Sequence, residues 1–245
     1  MVRLLRRGFD ATRFYFVVGM FCAGSLAWSL IAGVLERFMR RGSGARLGQF
    51  VIMLGFRGGL WLMRVTRLAR FDLGALDTLR EAGPLVIVSN HLSLLDALMI
   101  ISRLPRVACI AKASLWDNVL LGGSVRLAGY IRNDAPLPLI RSAIRALQAG
   151  SQLLIFPEGT RGDGYSLRTF KPGFVLIARG AKVPIQTVFL EYDTPYLGQG
   201  WKLTRMPRFP LIYRARCGKR FEEVGSSADS AIMLQRYFAT ELAMP

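Results

Sequence analysis

From Phe14 to Leu35 the chain runs without a single charged side chain. A helix of that length just suffices to cross the apolar core of a bilayer. The first part of the chain is therefore expected to be a long helix in contact with lipid. It runs too long and starts too late for a typical signal peptide, and no small-residue cleavage site stands out. A second apolar stretch, Leu47 to Met63, is broken by Arg57, Gly58 and Gly59. An arginine at mid-bilayer costs roughly 2.5–3.5 kcal/mol on insertion scales, so this stretch is not expected to span alone. Arg3, Arg6, Arg7 and Arg13 precede the first stretch, and Arg37, Arg40, Arg41 and Arg46 follow it. Positive flanks on both sides give no orientation under the positive-inside rule. A helical hairpin dipping into one leaflet keeps both clusters on the cytoplasmic face of the inner (plasma) membrane. That arrangement is the expectation, with a true span as its competitor. Residues 1–66 are read as an N-terminal hydrophobic, membrane-anchoring helical segment, and 67–245 as the globular domain.

Composition agrees with a membrane partner. Hydrophobic residues make up 52% of the chain, yet the formal net charge is +17. A basic chain seeks nucleic acid or an anionic membrane surface. The apolar excess favours the phospholipid bilayer, and no stripe of basic residues interleaved with aromatics marks a nucleic-acid face. Nucleic acid is therefore not an expected partner. Most of the positive charge is arginine, whose planar fork suits phosphate. Cys22, Cys109 and Cys217 are widely spaced and odd in number, which supports neither a metal site nor a disulfide framework. His91 is the one histidine in the chain.

Beyond Phe71 the pattern becomes one of short apolar runs alternating with helical stretches. Strands are expected at Leu85–Val88, Val107–Ala111, Gln152–Phe156, Val183–Leu190 and Leu211–Arg216. Helices are expected at Leu94–Arg103, Pro136–Ala149, Pro172–Arg179 and Ala228–Leu242. The alternation implies an α/β fold, a largely parallel mixed sheet flanked by helices. Ligands of such sheets bind at the carboxyl ends of the strands. Two polar segments fall there: Asn90-His91-Leu92-Ser93-Leu94-Leu95-Asp96 and Phe156-Pro157-Glu158-Gly159-Thr160-Arg161.

His91 and Asp96, five residues apart, would point about 140° apart on one continuous helix. They meet if His91 precedes the helix and Asp96 lies in its first turn. Ser93 then stands at the N-cap with Asp96 at capping-box spacing. A neutral imidazole held by a carboxylate is a general base able to take a proton from an alcohol. The spacing alone serves a second reading equally well, in which Asp96 caps the helix and His91 is a polar loop residue.

The two segments together resemble the glycerolipid (lysophospholipid) acyltransferase family, which includes the bacterial 1-acylglycerol-3-phosphate acyltransferases. Asn90, His91, Ser93 and Asp96 match its Asn-His-x-x-x-x-Asp motif, and Phe156–Arg161 matches its Phe-Pro-Glu-Gly-Thr-Arg motif without change. Ala111-Lys112 with Gly129-Tyr130-Ile131, Phe170-Lys171-Pro172-Gly173 and Val183-Pro184-Ile185 are similar to weaker blocks of the family. The likeness covers roughly residues 70 to 195. In the second block Ser114 replaces the usual glutamate, and Arg132 follows Ile131 directly instead of a few residues later.

The resemblance implies that 67–245 is an acyltransferase domain of lipid metabolism and phospholipid biosynthesis. It implies transfer of a fatty acyl group from acyl-CoA or acyl carrier protein to a lysolipid hydroxyl, with neither metal nor cofactor. His91 would be the base and Asp96 its orienting partner. Glu158 would position the acceptor or order the loop. The turn at Gly159 would offer N–H groups to the oxyanion, Thr160 would contact substrate, and Arg161 would hold the acceptor phosphate. Lys112, Arg132 and Lys171 are further phosphate candidates. Cys109 and Ser93 are the competing nucleophiles, but direct transfer in a ternary complex is expected. The leading acceptor is 1-acylglycerol-3-phosphate. The altered second block makes another lysophospholipid, lyso-ornithine lipid or specialised lipid the alternative. A non-catalytic membrane-surface protein would have no need of the intact His91 and Asp96. The soluble CoA acyltransferases have one fewer residue between histidine and aspartate and lack the second motif.

Overall fold

A computed structural model describes residues 2–162, 167–223 and 225–243. The chain opens with two long helices, α1 (Val2–Phe38) and α2 (Arg41–Val65). They form an antiparallel hairpin. Arg13 Nη1 donates to Thr66 O at 2.8 Å, and the Phe21 and Phe56 rings lie 6.1 Å apart. The stretch Arg7–Phe38 is long and apolar enough to cross a membrane. α2 runs unbroken through Arg57, whose Nε donates to Ser102 O at 3.0 Å. The arginine that interrupts the second apolar stretch thus turns onto the globular domain.

The sheet follows. Its strands are β1 (Ala69–Asp72), β2 (Val86–Ser89), β3 (Val107–Lys112), β4 (Ile131–Asn133), β5 (Gln152–Ile155), β6 (Ile185–Tyr192) and β7 (Leu211–Phe221), and its order is β1-β7-β6-β2-β5-β3-β4. Every pairing is parallel except β6 with β7. The helices are α3 (Leu95–Ile101), α4 (Ala113–Trp116), α5 (Gly122–Leu127), α6 (Pro136–Gln148), α7 (Gly173–Ala181) and α8 (Ser227–Ala243). The α/β fold with a largely parallel mixed sheet is as the sequence implies.

The central strands are continuously apolar because both sheet faces are covered. Ile87 and Leu154 enter one core with Leu60 of α2 and Met99 of α3. Their neighbours Val86, Val88, Leu153 and Ile155 enter the other, with Phe174 of α7 and Phe238 of α8. That is the period-two alternation of a strand. The expected elements are present with shifted ends. The helix expected from Leu94 to Arg103 is shorter, because Ser93 and Leu94 belong to a loop pinned by Asp96. β7 extends past Arg216 to Phe221 by antiparallel pairing with β6 across a register shift. The unread strands, β1 and β4, are the sheet edges, where short, charged strands are the norm.

Phe14 and Val17 of α1 share the first core with the strands. At its other end α1 meets α5 through glycines: a Cβ on Gly123 would lie 2.2 Å from Ser29 O and 2.6 Å from Gly33 N. Both obstacles are backbone and cannot rotate away. Gly123→Ala is expected to destabilise the fold by about 1–3 kcal/mol, lowering Tm by several degrees. Thermal unfolding checks this, and an unchanged Tm would mean that α1 is not docked there. The outward side of the hairpin is apolar: Phe16, Val34, Phe38 and Trp61 are all more than half exposed.

Candidate active site

The buried strand β2 delivers its last residues to the carboxyl edge of the sheet, where the chain leaves at Asn90. The Asn90 side chain replaces one rung of the ladder to β6. Its Nδ2 donates to Leu190 O at 2.8 Å, and its Oδ1 accepts from Leu190 N at 2.9 Å. The next residue, His91, is thereby held at the rim.

His91 Nδ1 lies 3.0 Å from Asp96 Oδ2. The same oxygen accepts the N–H groups of Leu92 at 2.7 Å and Ser93 at 2.8 Å. Asp96 is fully buried and sits in the first turn of α3. A carboxylate oxygen only accepts, so Nδ1 must carry the proton and Nε2 the lone pair. Both contacts that the spacing allows, the cap and the His91–Asp96 pair, are present. Asp96 Oδ2 accepts the Ser93 N–H as in a capping box, and with the same atom it fixes the imidazole tautomer. Ser93 Oγ accepts from Leu95 N at 3.0 Å and donates to Tyr196 O.

The second motif wraps the first. The Phe156 ring stacks on the His91 ring, with centroids 3.9 Å apart and planes 18° apart. Glu158 Oε1 accepts the His91 N–H at 3.2 Å, and Gly162 N donates to His91 O at 2.7 Å. Residues 156–162 thus engage the ring and both backbone polar groups of His91. Glu158 Oε2 accepts the Arg168 N–H at 3.2 Å, which ties in the following loop. Burial pushes the Glu158 carboxyl up, partly offset by the N–H groups of Arg168 and His91. Geometrically Glu158 orders the loop.

The remaining residues differ in how close they come. Gly159 has φ +73°, in the region that favours glycine, and a Cβ there would meet Lys171 Nζ at 2.9 Å. The Lys171 ammonium therefore lies over this turn. The Gly159 N–H donates to Phe156 O at 3.0 Å, so it is spent within the turn. Thr160 is exposed. Arg161 Nη1 donates to Leu197 O at 2.6 Å and Gly198 O at 3.1 Å, fastening the 197–198 loop beside the site. Lys112 is exposed at the end of β3, two strands from β2. Arg132, on edge strand β4, is bound by Asp117 and Asp134, both at 2.5 Å. These carboxylates raise its pKa, that of Asp117 first. It is not gathered into the His91 cluster.

The competing nucleophiles are accounted for. Desolvation pushes the Cys109 thiol up to about 12, which keeps it protonated. Ser93 is fully buried with its hydroxyl engaged on both sides. Among the described residues no cluster of three or more His, Cys, Asp or Glu has the makings of a metal site. A cavity of about 260 Å³ adjoins the loop, walled by Phe14, Val17, Phe21, Leu60, Leu94 and Leu98 among others. Asn90, Phe156 and Tyr196 hold the site together, yet the sequence assigns them no role. Asn90 and Phe156 were at least visible as members of the two motifs.

Fold and site define an α/β protein with a carboxylate-held imidazole at the carboxyl ends of its strands. Residues 70–191 match the Acyltransferase family, and the chain belongs to it. Among curated relatives, human 1-acyl-sn-glycerol-3-phosphate acyltransferase beta is 32% identical over 73% of this chain and 65% of its own length. The lyso-ornithine lipid O-acyltransferase of Pseudomonas aeruginosa is 29% identical over 60% of this chain and 61% of its own. The 1-acyl-sn-glycerol-3-phosphate acyltransferase of the same organism is 26% identical, covering 62% of each chain. This chain therefore spans less than two thirds of these relatives' lengths. The fold is that of the crystal structure of the 1-acyl-sn-glycerophosphate (LPA) acyltransferase PlsC from Thermotoga maritima. Its TM-score is 0.69 at 19% identity, covering 99% of this chain and 98% of that one.

Proposed function

We propose that the chain transfers a fatty acyl group from acyl-CoA or acyl carrier protein to the free hydroxyl of 1-acylglycerol-3-phosphate, giving phosphatidic acid. The observation that carries this reading is the His91–Asp96 pair clasped by residues 156–162. His91 Nε2 takes the hydroxyl proton as the oxygen attacks the thioester carbonyl. The tetrahedral intermediate collapses, the C–S bond breaks, and the thiolate leaves with the proton from Nε2. Asp96 stabilises the transient imidazolium. With the Gly159 N–H spent, the Thr160 and Arg161 amides take over as oxyanion donors. Arg161, and Lys171 above the turn, face the acceptor phosphate, with Lys112 further out on the rim. An acyl chain fills the apolar cavity beside Leu94. The thioester is a co-substrate, and the chemistry calls on no metal or further cofactor.

The hairpin of α1 and α2 serves as the anchor, lying in one leaflet on the cytoplasmic face of the inner (plasma) membrane. Lying along the surface, the hairpin keeps the arginine clusters at its two ends, Arg3–Arg13 and Arg37–Arg46, at headgroup level, and an exposed apolar face of this size suits lipid. Another lysolipid acceptor, lyso-ornithine lipid included, is the second reading. The P. aeruginosa relative of that name and the altered block around Ser114 and Arg132 favour it.

An acceptor screen separates the two. Purified protein in vesicles, given one acyl thioester, is expected to acylate 1-acylglycerol-3-phosphate with the highest kcat/KM. Turnover confined to lyso-ornithine lipid would remove the first reading and leave the chemistry standing.

A further inference from the structure

A second cavity, of about 720 Å³, opens where the start of α1, the end of α2 and the beginning of β1 meet. β1 runs antiparallel to β2, so its first residues lie at the same end of the sheet as His91. Three strand spacings separate β1 from β2 in the sheet order, about 14 Å. Four arginines line this groove, Arg13, Arg64, Arg67 and Arg70, and Asp10 is the one carboxylate among its walls. Asp10 is paired with Arg13, which also binds Thr66 O and lies over the Phe9 ring at 4.4 Å. Arg64, Arg67 and Arg70 are exposed around the opening.

Convergence of like charges is unfavourable without a counter-anion. The partial negative charge at the end of α2 accounts for one basic residue in its last turn, Arg64, and not for four. Arg67 stands at φ +59°, where glycine is the favoured residue. The groove is also walled by Phe71 and Phe209 and lipped by Phe9, which is 63% exposed. A free phosphate has no use for such walls. A phosphate attached to glycerol and acyl chains does, and the exposed Tyr15 and Phe16 of α1 continue the apolar surface from the groove.

We infer that this groove binds the phosphate of an anionic membrane phospholipid, apart from the His91 site. The arginines grip the phosphate in bidentate fashion, and the acyl chains run along α1. Such a contact sets the depth at which the α1–α2 hairpin rests, and with it the height of the sheet end that carries His91. The proposal concerns binding and does not depend on which acceptor is acylated.

The test uses the full chain and flotation with vesicles of phosphatidylcholine alone or with phosphatidylglycerol mixed in. The triple variant Arg64→Gln/Arg67→Gln/Arg70→Gln is expected to lose affinity for the anionic vesicles by about fivefold per arginine. It should match wild type on phosphatidylcholine. A charge-matched variant on the α6 and α8 side, Arg141→Gln/Arg145→Gln/Arg236→Gln, is expected to stay near wild type. Arg67→Gly alone should bind anionic vesicles about fivefold more weakly without loss of Tm, which separates binding from folding. Equal losses in the two triples, or none in the groove variants, would overturn the proposal. So would release of wild type from anionic vesicles by inorganic phosphate but not by chloride of equal ionic strength, since a soluble anion would then be the ligand.

Discussion

His91→Ala is expected to lower kcat on the order of 10²–10⁴-fold, the usual contribution of a positioned general base. KM should change little, because Nε2 takes the hydroxyl proton only in the transition state. The effect is undiluted by substitution from elsewhere, since His91 is the one histidine in the chain. The alternatives are unpromising bases: Glu158 spends its two oxygens on the His91 and Arg168 N–H groups. The variant also loses the stack on Phe156, so Tm is measured beside turnover. His91→Gln, which retains a polar side chain at the position, should be equally inactive. A variant with near-normal kcat would remove His91 from the mechanism.

Asp96→Asn is expected to retain the fold and lower kcat about 10–100-fold, the difference between a charged and a neutral hydrogen bond to a developing imidazolium. The geometry permits the exchange, at a cost of about 1–3 kcal/mol in stability for an amide buried without a shown acceptor. The asparagine oxygen takes the place of Oδ2 and still accepts from Leu92, Ser93 and His91. Its amide takes the place of Oδ1, which has no hydrogen-bond partner among the described residues. The tautomer survives, and what disappears is the negative charge. Asp96→Ala is different, leaving the donors of this buried pocket without an acceptor at a cost of about 3–5 kcal/mol. Stability and turnover therefore separate across the two variants. Wild-type kcat in Asp96→Asn would reduce the carboxylate to a loop cap.

The chemistry of the site was legible where partners are close in sequence or strongly patterned. The His91–Asp96 pair needed only one helix start, and the apolar runs of β2 and β5 announced strands covered on both faces. Long-range pairings were not legible. Glu158 binds the backbone of His91 across 67 positions, and Asn90 reaches Leu190 across 100. Nothing local to either residue encodes its partner. Arg132 shows the converse. It resembles a headgroup ligand, yet its carboxylate neighbours Asp134 and Asp117 neutralise it on the edge strand. Asp134, two residues away, was the available signal. The edge strands β1 and β4 escaped because Ala-Arg-Phe-Asp and Ile-Arg-Asn are too short and too charged for an apolar pattern. For the N-terminal region, hydropathy alone left a span and a one-leaflet hairpin in competition. Contacts such as Arg13 with Thr66 and Phe21 with Phe56 are what fold the two helices back together.

The mechanism stands on His91 activating a lysolipid hydroxyl for acyl transfer. Its most direct test follows a radiolabelled acyl thioester into lipid product, with 1-acylglycerol-3-phosphate and equal amounts of wild-type or His91→Ala protein in the same vesicles. Wild type should yield labelled phosphatidic acid and the variant the same product on the order of 10²–10⁴-fold more slowly, with both proteins equally folded. Equal rates from the two proteins, or no labelled lipid from wild type with any lysolipid acceptor, would contradict it.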